Sequence, residues 1–211
     1  SPILVIGGTD FLGHHLVQDL LDNGVKHDQI HALDLKTDRN LVSGVTYHQA
    51  DITSKSAIDP LLQKVRPTVV SHTASPNPFE TNRAILDKVN IDGTRNLIEG
   101  AQEVGMVKAF IYTSSSSLVH DHYHPLINAD ETLPVLYYPQ QSNYYSHTKA
   151  VAEDIVLAAN RRVGSMLTVA LRPTSMYGEG DEGQIPNLVR NARAGRAGHH
   201  IGPGNNKFDN T

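Results

Sequence analysis

The chain has 211 residues, 39% hydrophobic and 19% charged, with 16 glycines and 11 prolines. This is a globular composition that excludes a disordered tail or a fibrous repeat, in one domain of ordinary size, or one and a fragment, able to bury about 70% of its unfolded surface. Lys and Arg number 18 against 22 Asp and Glu, a formal net charge of −4 that argues against a nucleic-acid partner, and zero cysteines exclude disulfides, thiolate catalysis and Cys-ligated metals.

Short apolar runs alternate with amphipathic stretches of helical length. Ile3–Ile6 predicts a strand, and Phe11–Asn23 a helix stopped by Gly24. Strands are predicted at Ile30–Leu33 and Val45–His48, a helix at Ser54–Val65, and a strand at Thr68–His72 closed by Pro76 and Pro78. Arg83–Val104 predicts one long helix, Lys108–Tyr112 a strand entering a serine run, Tyr144–Val163 a helix, and Leu167–Leu171 a strand ended by Arg172-Pro173. The alternation argues an α/β fold: a Rossmann-like doubly wound parallel sheet with helices on both faces. Beyond residue 173 Gly, Asn and Pro dominate, apart from a helix predicted at Ile185–Ala194, and Asp209-Asn210-Thr211 falls in a loop-like passage, as in a truncated protein. No apolar run nears the roughly 18 residues of a membrane span, and Ser1–Gly7 lacks the marks of a signal peptide. The expected compartment is intracellular.

Gly7-Gly8-Thr9-Asp10-Phe11-Leu12-Gly13 lies between the first strand and first helix, where backbone N–H groups and a helix N-terminus meet a dinucleotide pyrophosphate. Asp34, 21 residues after Gly13, is placed to accept hydrogen bonds from the adenosine ribose and to repel a 2′-phosphate, favouring NAD over NADP. Asp10 stands where glycine is expected. At about 4 Å from a phosphate oxygen its repulsion approaches about 4 kcal/mol with an effective dielectric of roughly 20; alternatively, its carboxylate caps the following helix and competes with the pyrophosphate. Either way Asp10 is expected to weaken cofactor binding without abolishing it.

Tyr145-Ser146-His147-Thr148-Lys149 puts a phenol and an ammonium on one helix face. The cation is expected to lower the phenol's pKa and make Tyr145 a general base for a hydroxyl proton. One hydroxyl of Thr113-Ser114-Ser115-Ser116-Ser117, at a strand's carboxyl end, is placed to bond the reacting oxygen; a self-satisfied polar turn is the bland alternative. His120-x-His122-x-His124 suits a metal only on a strand, and Pro125 argues for a loop, so no metal site is expected. His147 is expected on an exposed face, Arg161-Arg162 as a cationic helix end, and Val151, Ile155 and Val156 as core or a dimer seam.

The joint order of Gly7–Gly13, Asp34, Asp51-Ile52, His72-Thr73-Ala74-Ser75, Asn90-Ile91-Asp92-Gly93-Thr94, Thr113–Ser117, Tyr145-x-x-x-Lys149 and Leu171-Arg172-Pro173 resembles the extended short-chain dehydrogenase/reductase family. Within it, the chain is most similar to the 3β-hydroxysteroid dehydrogenase and sterol-4α-carboxylate 3-dehydrogenase branch. The resemblance implies an NAD-binding Rossmann domain at 1–173 and the beginning of a substrate-binding lobe at 174–211. It implies Tyr145 as base, Lys149 as the group that lowers its pKa and holds the nicotinamide ribose, and Ser115 (with Ser116 as fallback) polarising the substrate oxygen. Asn90 is implied as a structural or proton-relay group. For the cofactor it implies Gly7, Thr9, Asp10, Phe11, Leu12 and Gly13 at the phosphates and Asp34 at the ribose. Asp51 and Ile52 would border the adenine, Ala74 and Ser75 the channel, and Pro173 the nicotinamide.

The implied activity is NAD-dependent oxidation of a sterol or steroid 3β-hydroxyl, with decarboxylation where a 4α-carboxylate is present. A homodimer paired through Arg83–Val104 and Tyr144–Val163 is implied, as is a cytoplasmic location or peripheral attachment to the cytosolic face of the endoplasmic reticulum through segments outside this chain. Two other readings stay open: NAD(P)-dependent chemistry on a nucleotide sugar or secondary metabolite, and a non-catalytic NAD-binding regulator.

Overall fold

The computed structural model describes residues 1–198; the chain end at Asp209–Thr211 lies outside the described residues. Two compact units are present, Ser1–Arg172 and Pro173–Thr211. The first contains one parallel sheet of β1 (Ile3–Ile6), β2 (Ile30–Asp34), β3 (Thr46–Gln49), β4 (Val69–His72), β5 (Ala109–Thr113) and β6 (Leu167–Leu171), in the order β3-β2-β1-β4-β5-β6. Around it run the helices α1 (Phe11–Asp22), α2 (Lys55–Val65), α3 (Arg83–Leu86), α4 (Thr94–Val104) and α5 (Tyr144–Ala158). β1 is central because Leu4, Val5 and Ile6 bury apolar side chains on both sheet faces, as a parallel strand between helical layers requires. The main core gathers Leu4, Ile6, Leu33, Phe110 and Tyr112 from the sheet with Ile58, Leu62, Leu97 and Val156 from the helices.

Strand order reverses between β1 and β4, which pair in register with Ile6 opposite His72. The crevice of such a sheet opens at that reversal, outside the carboxyl ends of the strands. The glycine turn follows β1 there, and His72–Ser75 follows β4. Gly7 has φ +83°, and a Cβ on it would lie 2.7 Å from Thr73 Oγ1 and 2.8 Å from Ala74 N. A Cβ on Gly13 would lie 2.0 Å from the Gly7 carbonyl oxygen, so the bare glycine lets α1 start directly on the turn.

The helix predicted over Arg83–Val104 is not regular. Between α3 and α4 the chain makes a π-helical turn, Asp87–Gly93, which carries the buried Asn90. Single π turns recur at functional sites because the extra residue re-aims one side chain. The helix predicted to Val163 ends at Ala158, so Arg161-Arg162 lies beyond it, with Arg161 at φ +56° donating its N–H to Met166 O; it is a turn rather than a cationic helix end.

In the second unit, α6 (Gln184–Arg193) is started by Asp181, whose carboxylate accepts from the N–H groups of Gly183, Gln184 and Ile185 at 2.7, 3.0 and 2.8 Å. Among the described residues no helix is long and apolar enough to cross a membrane.

Gly13→Ala tests the closest approach. The added carbon must push α1 off the turn, and overpacking of this kind costs about 1–3 kcal/mol. The urea midpoint is expected to fall accordingly; an unchanged midpoint would show that the turn yields freely.

Candidate active site

The glycine turn is tied to β2 by polar contacts. The Asp34 carboxylate accepts from Thr9 N at 3.0 Å and Leu35 N at 2.8 Å, and Thr9 Oγ1 donates to Lys36 O at 3.0 Å. A carboxylate has about four lone-pair sites, so Asp34 keeps acceptor capacity for a further donor.

Asp10 departs from the capping alternative. It occupies the N-cap position of α1 but makes no side-chain cap hydrogen bond; its carboxylate is paired with the Arg39 guanidinium. A bidentate-capable cation outcompetes neutral N–H groups for the carboxylate, and the pair offsets the negative charge that Asp10 brings to the turn. Phe11, Leu12 and Gly13 thus begin the helix without a side-chain cap, and the turn presents bare backbone at a helix N-terminus, the chemistry that a pyrophosphate needs. Asp51 is exposed and accepts from Thr53 N at 2.8 Å. The Ile52 side chain, by contrast, is in the core, where a Cβ on Gly93 would lie 2.7 Å from its Cδ1. Ala74 is half-buried after β4, and Pro173 falls at the start of the second unit.

α5 begins where the Asn143 side chain accepts from Ser146 N at 3.3 Å. One turn in, Lys149 is buried. Its Nζ donates to Thr113 O at 2.6 Å and stands 4.3 Å above the Tyr112 ring. Burial pushes the ammonium down to about 7, against the opposing pull of Glu153. Glu153, one turn further along, is itself buried and takes Arg172 Nε at 3.1 Å on both oxygens and Nη2 at 2.5 Å.

The Tyr145 phenol is not lowered in this arrangement: burial raises its pKa, opposed by a hydrogen bond from Ser75. The Lys149 ammonium is engaged with the Thr113 carbonyl, and desolvation falls on both groups. Beside the phenol, Ser75 Oγ lies 3.4 Å from Tyr145 Oη and 3.1 Å from Asn90 Oδ1. Asn90 Nδ2 donates to Thr148 Oγ1 at 3.0 Å, and Thr148 Oγ1 donates to Tyr145 O at 2.8 Å. Tyr145, Ser75 and Asn90 are therefore joined in one hydrogen-bonded chain.

Ser115 belongs to a different chain. It caps the short 3₁₀ turn Ser116–Val119 by accepting from Ser117 N at 3.2 Å, its Oγ is 2.8 Å from Ser117 Oγ, and Ser146 Oγ donates to Ser117 Oγ at 2.8 Å. Tyr144 is set apart from Tyr145: its hydroxyl donates to Asp87 at 3.0 Å, and Arg83 covers its ring at 4.5 Å. A cavity of about 350 Å³ opens beside Tyr145, walled by Pro78, Phe79, Arg83 and Tyr144 among others.

His147 is half-buried rather than exposed. It packs on the rings of Tyr137, Tyr138 and Tyr144 and accepts from Tyr138 N at 3.3 Å. His120, His122 and His124 lie in an irregular segment, with His124 Nδ1 2.6 Å from Asp121.

Four contributors escaped the sequence reading: Arg39, Thr148, Glu153 and His72. Glu153 was findable, because Tyr145, Lys149 and Glu153 repeat the same four-residue step along one face. His72 ends β4 at the head of His72-Thr73-Ala74-Ser75; its Nε2 meets Thr94 Oγ1 at 3.0 Å, and burial, with Lys149 adding, pushes it down to about 3.

Residues 4–211 match the model of the family described as 3-beta hydroxysteroid dehydrogenase/isomerase. The chain is 38% identical over 217 residues to a Saccharomyces cerevisiae protein named sterol-4-alpha-carboxylate 3-dehydrogenase ERG26, decarboxylating, covering 99% of this chain and 60% of that protein. It is 35% identical over 207 residues to the Homo sapiens sterol-4-alpha-carboxylate 3-dehydrogenase, decarboxylating, covering 98% and 53%. Among solved structures it is similar to the Thermus thermophilus UDP-glucose 4-epimerase complex with NAD, with a TM-score of 0.77 and 25% identity over 90% of this chain and 60% of that one. The chain thus spans little more than half the length of these relatives.

The buried ion pair yields a stability test. Glu153→Gln leaves Arg172 and Lys149 without their carboxylate, and breaking one side of such a pair costs about 3–5 kcal/mol. Denaturant unfolding of the variant at pH 7 is expected to show that loss; a change under about 1 kcal/mol would mean that the pair is solvent-screened.

Proposed function

Because the chain belongs to the 3-beta hydroxysteroid dehydrogenase/isomerase family, we propose that it forms the cofactor-binding and catalytic part of an NAD-dependent dehydrogenase acting on the 3β-hydroxyl of a sterol or steroid. A 4α-carboxysterol, with loss of CO₂, is the foremost substrate. The observation that carries this reading is Tyr145: it lines a cavity with Pro78, Arg83 and Tyr144 and stands one helical turn before the buried Lys149. The substrate class follows from the names of the relatives.

A bound nicotinamide dinucleotide supplies the hydride acceptor. Gly7–Gly13 would hold its phosphates on backbone without a side-chain cap, and Asp34 would accept from the ribose hydroxyls while repelling a 2′-phosphate, which supports NAD over NADP. Asp51 and the backbone of Ile52 would border the adenine, since the Ile52 side chain is committed to the core. Ala74 flanks the channel, and Pro173 is assigned to the nicotinamide end by the family pattern. Tyr145 would take the hydroxyl proton of the alcohol as general base, the nicotinamide, when bound, serving as acceptor for the carbinol hydride.

Ser115 steadies the reacting oxygen. If Ser146 gives its single proton to Ser117, Ser117 gives its own to Ser115, and the Ser115 hydroxyl is left as a donor toward the substrate. Where the neighbouring carbon bears a carboxylate, the new ketone accepts the electron pair released as the C–C bond to CO₂ breaks, and the resulting enolate is protonated. A sterol is met at a membrane surface, so the cytosolic face of the endoplasmic reticulum is the location that this substrate favours.

NADH formation at 340 nm, followed with 3β-hydroxy-4α-carboxysterols, 3β-hydroxysteroids and nucleotide sugars, tests the reading. Turnover with the sterols is expected, and Tyr145→Phe is expected to lose about 10²–10⁴-fold of it while keeping NAD binding. Turnover with nucleotide sugars alone, or NAD binding without any turnover, contradicts it. Asp10→Gly removes a half-exposed carboxylate whose charge Arg39 offsets only in part, and is expected to lower the NAD dissociation constant several-fold in calorimetric titrations; an unchanged or higher constant would show that the offset is complete.

A further inference from the structure

The hydrogen-bonded chain behind Tyr145 has a fixed direction. Thr148 Oγ1 has one proton and donates it to Tyr145 O, so it accepts from Asn90 and the Asn90 amide must present Nδ2 to it. Asn90 Oδ1 is then turned to Ser75 as an acceptor. Ser75 likewise has one proton and three acceptors around it: Pro76 O at 3.2 Å, Asn90 Oδ1 at 3.1 Å and Tyr145 Oη at 3.4 Å.

While Tyr145 is protonated, the single Ser75 proton rests on Asn90 Oδ1, the nearest of its three acceptors. Once Tyr145 is ionised, it can only accept, and the Ser75 hydroxyl turns its proton toward the phenolate. An amide oxygen does not take a proton at these pH values, so the chain ends at Asn90 and cannot conduct.

We propose that Ser75 is a positioning residue whose hydroxyl rotates from Asn90 to Tyr145 as the phenol ionises, stabilising the phenolate, with Asn90 as the fixed stop rather than a proton relay. The proposal rests on the reading of Tyr145 as the base. The other charged or titratable groups about the phenol are Lys149 one turn along α5, Tyr112 on β5, and Glu80, Arg83 and Tyr144 in the cavity wall; none of them donates a hydrogen bond to Tyr145 Oη among the described contacts.

The test is a pH titration of the whole chain labelled with ¹³Cζ-tyrosine, within the range where circular dichroism shows the fold intact. Tyr145→Phe identifies the resonance. In Ser75→Ala the Tyr145 midpoint is expected to rise by about one unit, tenfold less phenolate at a given pH, or to leave the folded range while that of the wild type stays inside it. Ser75→Thr, which keeps the hydroxyl, is expected to restore the midpoint. An unmoved or lowered midpoint in Ser75→Ala overturns the proposal, as does an equal rise in Ser75→Thr. The titration needs neither cofactor nor substrate, so its failure is distinct from a failure to reduce NAD.

Discussion

The site depends on keeping a cation dry. Lys149 is buried at the sheet's crevice, yet its ammonium is solvated by protein: a carbonyl from the end of β5, the face of Tyr112, and the field of Glu153 one turn away. Each partner requires a larger feature. Thr113 O is available because β5 ends there, Tyr112 because it lies in the core, and Glu153 because Arg172 at the end of β6 compensates it. The end of β5, the course of α5 and Arg172 after β6 thus converge on one side chain.

That convergence has a thermodynamic signature. Burial moves Lys149 from its ordinary 10.5 to about 7, so the folded chain binds this proton less tightly than the unfolded chain does. The resulting cost is complete below pH 7 and recedes as pH rises from 7 toward 10.5, so this site's contribution favours folding progressively across that window.

Much of this was legible in the sequence because it is written in local patterns. Strand-length runs of Ile, Leu and Val before glycine gave the parallel sheet, and Gly7–Gly13 and Tyr145-x-x-x-Lys149 marked the turn and the helix face. What escaped depends on contacts distant in sequence. Arg39 reaches Asp10 across a loop, which no spacing rule anticipates, and so a residue that looked like a helix cap became half of an ion pair. The π turn at Asp87–Gly93 is hidden because its residues suit an ordinary helix; the buried bonds of Asn90 to Ser75 and Thr148 accompany the departure. The direction of the Tyr145 shift differs from expectation because adjacency on a helix says nothing of burial: desolvation raises it, opposed by the Ser75 hydrogen bond, while the Lys149 ammonium is bonded to the Thr113 carbonyl.

The most direct measurement is the titration of Lys149 itself, by ¹³Cε-lysine NMR of the folded chain with Lys149→Met assigning the resonance. A midpoint near 7 is expected if the ammonium is held dry by Thr113, Tyr112 and Glu153. A midpoint near 10.5 would place Lys149 in solvent and contradict the account.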